Sequence, residues 1–127
     1  MPPPSDAPHL PRSAPIEAYG KGGFAFAEMS HRGSLLCLPE AIWAWPVVRA
    51  ADIDEASLRR VFAAAEGIDT LIIGTGTEAW QPPSGLRAAL RAVKVVLDTM
   101  QTGPAITTYN VMIGERRRVA AALIAVP

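Results

Sequence analysis

Gly74-Thr75-Gly76-Thr77 is the stretch whose residue types come closest to a ligand-binding device. Paired glycines after an apolar strand let backbone N–H groups approach a phosphate. A dinucleotide-binding turn wants a third small residue at the start of the next helix, and Ala79 is acceptable there. Gln81-Pro82-Pro83 then intervenes, so no helix N-terminus would point at a pyrophosphate held by the turn. The Lys-Ser/Thr pair of a P-loop is missing, and Asp98 is the only acid near the end of a following strand. The turn reads as a Gly-rich exit from a sheet. A nucleotide or small-molecule site, or an enzyme built on Gly74–Thr77, is the alternative function.

Other reactive residue types are sparse. Zinc needs three or four good donors, and His9, His31 and Cys37 are the candidates. Cys37 stands between Leu36 and Leu38, where a buried thiol stays protonated and inert. Ser34 follows Gly33, but no Gly-x-Ser-x-Gly elbow occurs. Asp52, Asp54, Glu55 and Glu66 are accounted for by helix capping and surface pairing. Arg116-Arg117-Arg118 reads as a solvated turn able to meet an acidic partner. Trp43 and Trp45 share one strand face, suited to a core or to an interface. No catalytic residue, metal site or cofactor is assigned, and the chain reads as non-enzymatic.

These residues must be carried by a chain of 127 residues, half of them hydrophobic, which suits one domain with a real core. Lys plus Arg total 12 and Asp plus Glu total 12, so no surplus of positive charge favours nucleic acid. The single cysteine allows no internal disulfide and fits a reducing, cytoplasmic compartment. No stretch approaches the roughly 20 apolar residues of a membrane span, so no direct insertion is expected. Residues 1–15 are proline-rich and are expected to form a disordered tail, with a single α/β domain over 16–127.

The elements follow from apolar period and punctuation. Ile16–Tyr19 and Phe24–Ala27 read as a hairpin with a loose turn, Ser30–Gly33 as the next turn, and Ser34–Leu38 and Ile42–Trp45 as strands. A helix is expected from Asp52, capped with Glu55 and stopped by a left-handed Gly67. Its apolar face is Leu58, Val61, Phe62 and Ala65, with Glu55 and Arg59 paired opposite. Thr70–Ile73 reads as a buried strand. Ser84 opens a second, shorter helix with Leu86, Ala89, Leu90 and Val93 inward; Val93 alternatively starts Val93–Leu97, another buried strand, and strand, helix and strand make a βαβ unit. Ile106–Ile113 and Val119–Val126 are expected to form a C-terminal hairpin around Gly114–Arg117. The result is a mixed α/β domain with two helices and a mixed sheet.

Several segments also occur in a telling order: Tyr19-Gly20, Gly23-Phe24, Gly33-Ser34-Leu35-Leu36, Leu71-Ile72-Ile73-Gly74-Thr75-Gly76, Met100-Gln101-Thr102-Gly103-Pro104-Ala105, Thr108-Tyr109-Asn110-Val111 and Arg118-Val119-Ala120-Ala121-Ala122-Leu123. This ordered set resembles the domain-of-unknown-function family that includes mitochondrial complex I assembly factor 3 and the adipogenesis-associated Mth domain. The resemblance runs from about Ile16 to Val126. It implies a compact three-layer β/β/α domain that binds protein, with a membrane-complex subunit as the candidate partner, in the assembly of a respiratory complex. Thr107 stands where similar sequences often carry Arg, and Gln101 where an acid is common. An interaction surface is expected at Met29, His31 and Arg32 and at Thr108, Tyr109 and Asn110, with homo-oligomerisation through a strand edge as the competing arrangement.

Overall fold

The computed structural model describes residues 8–127. Strands β1 (Ala18–Gly20), β2 (Gly23–Phe26) and β3 (Met29–Arg32) form a small antiparallel sheet in that order. Strands β4 (Ser34–Leu38), β5 (Ala41–Trp45), β6 (Thr70–Gly74), β7 (Val96–Met100) and β8 (Val119–Leu123) form a larger sheet, ordered β5-β4-β8-β6-β7. That sheet is mixed: β5/β4 and β4/β8 are antiparallel, β8/β6 and β6/β7 parallel. The helices are α1 (Arg59–Ala63), α2 (Ser84–Ala92) and α3 (Thr102–Gly114), one more than the two expected.

The large sheet is the middle layer, because its strands alternate two apolar sets. Leu36, Leu38, Leu71, Ile73, Ala120 and Ala122 face one side, where they meet Val61 of α1 and Leu86 and Leu90 of α2. Leu35, Cys37, Ile72, Ala121 and Leu123 face the other, against Ile106 and Tyr109 of α3 and Phe24 and Phe26 of the small sheet. Handedness explains why the helices split. The β6-α2-β7 crossover moves outward along the sheet, and β7-α3-β8 moves back past β6. Both keep the right-handed sense only if the second helix crosses on the opposite face.

Helix α3 replaces the first strand of the expected C-terminal hairpin. Ile106, Thr107, Thr108, Val111 and Ile113 are β-branched and favour strand locally. The buried positions Thr102, Ala105, Ile106, Tyr109 and Met112 nevertheless recur at helical spacing, and Pro104 lies in the first turn, where it costs no hydrogen bond. The Val119–Leu123 segment is a strand as expected, but it pairs with β6 and β4 rather than with a hairpin partner.

Smaller corrections share a local cause. The β1–β2 turn is tight, with positive φ at Lys21 and Gly22, and the next turn is Ala27–Glu28, also with both φ positive. Two-residue turns of this kind match the twist of the strands they join. Of Ser30–Gly33, expected as a turn, Ser30–Arg32 therefore belong to strand β3, and Gly33 separates it from β4. Around α1 the reciprocal cap is Asp54 with Ser57, not Asp52 with Glu55: Ser57 N–H donates to Asp54 Oδ1 at 2.8 Å and Asp54 N–H to Ser57 Oγ at 3.0 Å. Arg59 forms no ion pair with Glu55, and Gly67 ends a 3₁₀ turn (Ala65–Gly67) without a positive φ. Strand β7 is a sheet edge rather than a buried strand, with Val96 64% exposed.

Of the expected tail, residues 1–7 lie outside the described residues. From His9 the chain is docked. The N–H groups of His9 and Leu10 donate to Ile42 O, Ile42 N–H donates to Leu10 O, and Ala14 and Ile16 are buried. Outward-facing backbone on β5 falls at every second residue, 42, 44 and 46. Antiparallel pairing would next set Pro8 opposite Ala44, and proline has no N–H to donate. Pro46, directly after β5, withholds the next donor, so this edge is blunted.

Candidate functional site

The carboxyl end of β6 is where open α/β sheets commonly hold ligands. Here it is filled. Thr102, fully buried at the start of α3, accepts the Gly76 N–H at 2.9 Å and donates to Ile124 O at 2.7 Å through one hydroxyl. Its own N–H donates to Gly76 O at 3.1 Å. Thr75 Oγ1 donates to Glu78 O at 2.6 Å, and Thr75 N–H to Met100 O at 2.8 Å. Gln101 Nε2 donates to Thr77 O at 3.1 Å, a bond an acid at that position could not donate. Gly74 is packed so closely that a Cβ there would lie 3.0 Å from Thr102 Cα and 3.1 Å from both Ala105 Cβ and Leu123 Cδ2. The glycines of Gly74–Thr77 serve a close strand–helix approach, and both backbone groups of Gly76 and the Thr77 carbonyl are spent internally.

Cys37 and Tyr109 lie side by side in the core between the sheet and α3, and both are fully buried. Burial pushes the Cys37 thiol up to about 12, a hydrogen bond with Tyr109 opposing it only in part. Burial, with the neighbouring Cys37, also raises Tyr109. Neither group ionises near neutral pH. Tyr109 therefore does not belong to a surface: its hydroxyl donates to Ala14 O at 3.4 Å. Asn110 beside it acts as a clamp, accepting Ile16 N–H at 2.9 Å and donating to Ile16 O at 2.8 Å. This pairing ties α3 to the incoming N-terminal chain. Thr108 is half-buried with its hydroxyl 3.7 Å from Met100 Sδ. Thr107 is exposed and its hydroxyl turns back to Gly103 O at 3.4 Å.

Met29, His31 and Arg32 do lie together, on β3. Met29 is 36% exposed, and His31 and Arg32 border a cleft of about 490 Å³ between β3, β5 and α1. Its other walls are Ala44, Trp45, Pro46, Arg59 and Arg60. Trp45 Nε1 donates to Ser57 O at 2.7 Å, which fastens the start of α1 to the sheet. Arg60 lies over the Trp43 ring, 3.5 Å from its centroid, a cation–π contact that holds the guanidinium at the cleft. His31 Nε2 lies 3.1 Å from Ser34 O, and its ring centroid is 4.5 Å from that of His9. Burial, and then His9, lower the His31 pKa, the Ser34 carbonyl opposing. The imidazole is thus neutral at pH 7, and the arginines carry the charge of the cleft. No carboxylate lines it. Such a wall can hold an anionic group against an apolar floor; it offers no nucleophile paired with a base. Sequence reasoning found His31 and Arg32 but not Arg59 and Arg60, whose placement depends on how α1 crosses β5.

Among the described residues no three His, Cys, Asp or Glu side chains are grouped to hold a metal, and no helix is long and apolar enough to cross a membrane. Arg118 bridges Asp69 at 2.6 Å and Glu66 O at 3.2 Å, pinning the approach to β8 rather than forming a free basic tip.

An uncharacterised protein of Rhodobacter capsulatus is 38% identical over 120 residues, covering 94% of this chain and 91% of its own. A Rhodopseudomonas palustris protein of solved structure is 67% identical, with a TM-score of 0.84 over 100% of this chain and 94% of the other. NADH dehydrogenase [ubiquinone] 1 alpha subcomplex assembly factor 3 of Xenopus tropicalis is 31% identical over 109 residues, 86% of this chain. This chain spans only 60% of that assembly factor's length. Residues 16–124 match the family described as protein of unknown function (DUF498/DUF598), the family anticipated from the ordered motifs, and the chain belongs to it.

Proposed function

We propose that this chain is a non-enzymatic protein-binding module that serves the assembly of a larger complex, a membrane respiratory complex being the leading candidate. The observation that carries this reading is the match, over most of the chain, to proteins named NADH dehydrogenase [ubiquinone] 1 alpha subcomplex assembly factor 3. The site chemistry supports it. In the Gly74–Thr77 turn both backbone groups of Gly76 and the Thr77 carbonyl are committed internally, the thiol is buried and protonated, and the β3/α1 cleft joins cations to indole surface, a combination enriched at protein interfaces. The module acts in the cytoplasm and reaches a membrane partner through that partner's exposed domain.

Cross-linking and pull-down from the native host with the intact chain test the reading. The expected result is a reproducible membrane-complex subunit, captured at least fivefold less by Arg32→Glu/Arg59→Glu. Absence of any reproducible partner would remove the reading.

A further inference from the structure

Strand β7 leaves backbone hydrogen-bonding groups open along one edge of the main sheet. Val96 N–H donates to Asp69 O at 2.9 Å, and Met100 O accepts Thr75 N–H at 2.8 Å. In a parallel ladder this places residues 96, 98 and 100 toward β6 and turns the N–H and C=O of Leu97 and Thr99 outward. No described residue pairs with them. The opposite edge of the same sheet, β5, is capped by residues 9–10 and blunted by Pro46, whereas β7 carries no such device.

Beside this edge lies a cleft of about 340 Å³, lined by Arg87, Arg91, Lys94, Val95, Val96 and Leu97. Its polar wall is wholly cationic. Arg87 and Arg91 stand one helical turn apart on α2, a like-charge spacing that weakens a helix unless something neutralises it. Neither they nor Lys94 meets a carboxylate among the described residues. Asp98 projects from the other face of the strand, because successive side chains alternate.

We infer that β7 accepts, by strand addition, an extended acidic segment of a partner protein. This deepens the assembly reading and rests on it. A strand added here has its side chains alternately toward the α2 cations and toward Asp98. The fitting pattern is therefore acid at alternate positions, opposite Leu97 and Thr99, with a cation between them opposite Asp98. A second copy of this chain fits poorly. The two-fold antiparallel pairing with full overlap places Asp98 directly against its own symmetry mate, and like charges opposed across strands repel.

The probe is the peptide acetyl-Thr-Val-Glu-Lys-Glu-Val-Thr-amide, titrated into the ¹⁵N-labelled full chain, with a charge-reversed peptide (Thr-Val-Lys-Glu-Lys-Val-Thr) as control. Binding should shift the Leu97 and Thr99 amides and slow their hydrogen exchange, with the control at least tenfold weaker. Thr99→Pro removes only an outward donor and should abolish the effect. Arg87→Glu/Arg91→Glu, which leaves the strand backbone untouched, should weaken binding at least tenfold and serves if the proline variant does not fold. Unperturbed Leu97 and Thr99 amides, equal binding of the reversed peptide, or shifts that grow with protein concentration alone would each overturn the inference. A host partner that is still captured by Thr99→Pro would sink the strand-addition site while leaving the assembly reading intact.

Discussion

The carboxyl end of β6 and the edge of β7 are neighbours in one sheet, yet they have opposite characters. Gly74-Thr75-Gly76-Thr77 carries the residue types of a ligand site, and the fold uses them for packing: Thr102 occupies the polar backbone, and Gly74 lies flush against the start of α3. Val96-Leu97-Asp98-Thr99-Met100 carries no motif, and its outward backbone is unmatched among the described residues. Residue type signals potential chemistry. Whether that potential is free depends on what the tertiary fold sets against it.

The sharpest way to break this contrast is to put a side chain where the turn should have no room. Gly74→Val forces atoms into Thr102, Ala105 and Leu123, and should cost about 3 kcal/mol in denaturant unfolding. If the turn were an open ligand site, the loss would be small. Thr102→Val keeps the shape but strips the hydroxyl that serves Gly76 N–H and Ile124 O. Leaving both groups buried and unpaired should cost about 2 kcal/mol.

Alkaline titration probes the closed core behind the turn. Cys37 ionises at about 12 in the folded chain, against an ordinary value of 9.0. The folded state thus holds this proton more tightly than the unfolded state does. The associated stability is whole below about pH 9 and is lost as pH rises toward 12. Chemical denaturation across that range should show the decline; Cys37→Ala should remove the part that begins near pH 9 and leave the loss above about pH 10 that buried Tyr109, raised from its ordinary 10.0, contributes. A thiol reagent that modified Cys37 in the native protein at about pH 8, close to the ordinary thiol range, would contradict its burial. The smallest effect belongs to the open edge. Thr99→Pro should change unfolding stability by less than about 1 kcal/mol, since the lost N–H faces outward. A larger loss would mean that the edge is already paired.

Much of the middle layer was legible along the chain. Leu71-Ile72-Ile73 bounded by Gly74 reads as a strand buried on both faces, and it is one. Ser84 with Leu86 and Leu90 marks α2 because the apolar period is helical. Helix α3 escaped because β-branched residues on it speak for strand, while its buried set only becomes decisive once it has a sheet to lie on. The turns of the small sheet were displaced because Ala27–Glu28 lacks the Gly or Asn that advertises two positive φ values. Of the expected surface, Met29, His31 and Arg32 meet on one strand, whereas Tyr109 is interior and Asn110 is occupied by Ile16.

By itself the sequence determined the class: a mixed α/β domain, its core strands, a β6-α2-β7 unit and, through an ordered set of weak motifs, its family. Those depend on local period and composition, which are properties of adjacent residues. Only the tertiary structure decided that α3 crosses the sheet on the face opposite α2, that Thr102 closes the glycine turn, and that β7 remains an open edge beside three cations. Each of these turns on which groups, far apart in the chain, come within hydrogen-bonding or van der Waals reach, and spacing along a sequence does not encode that distance.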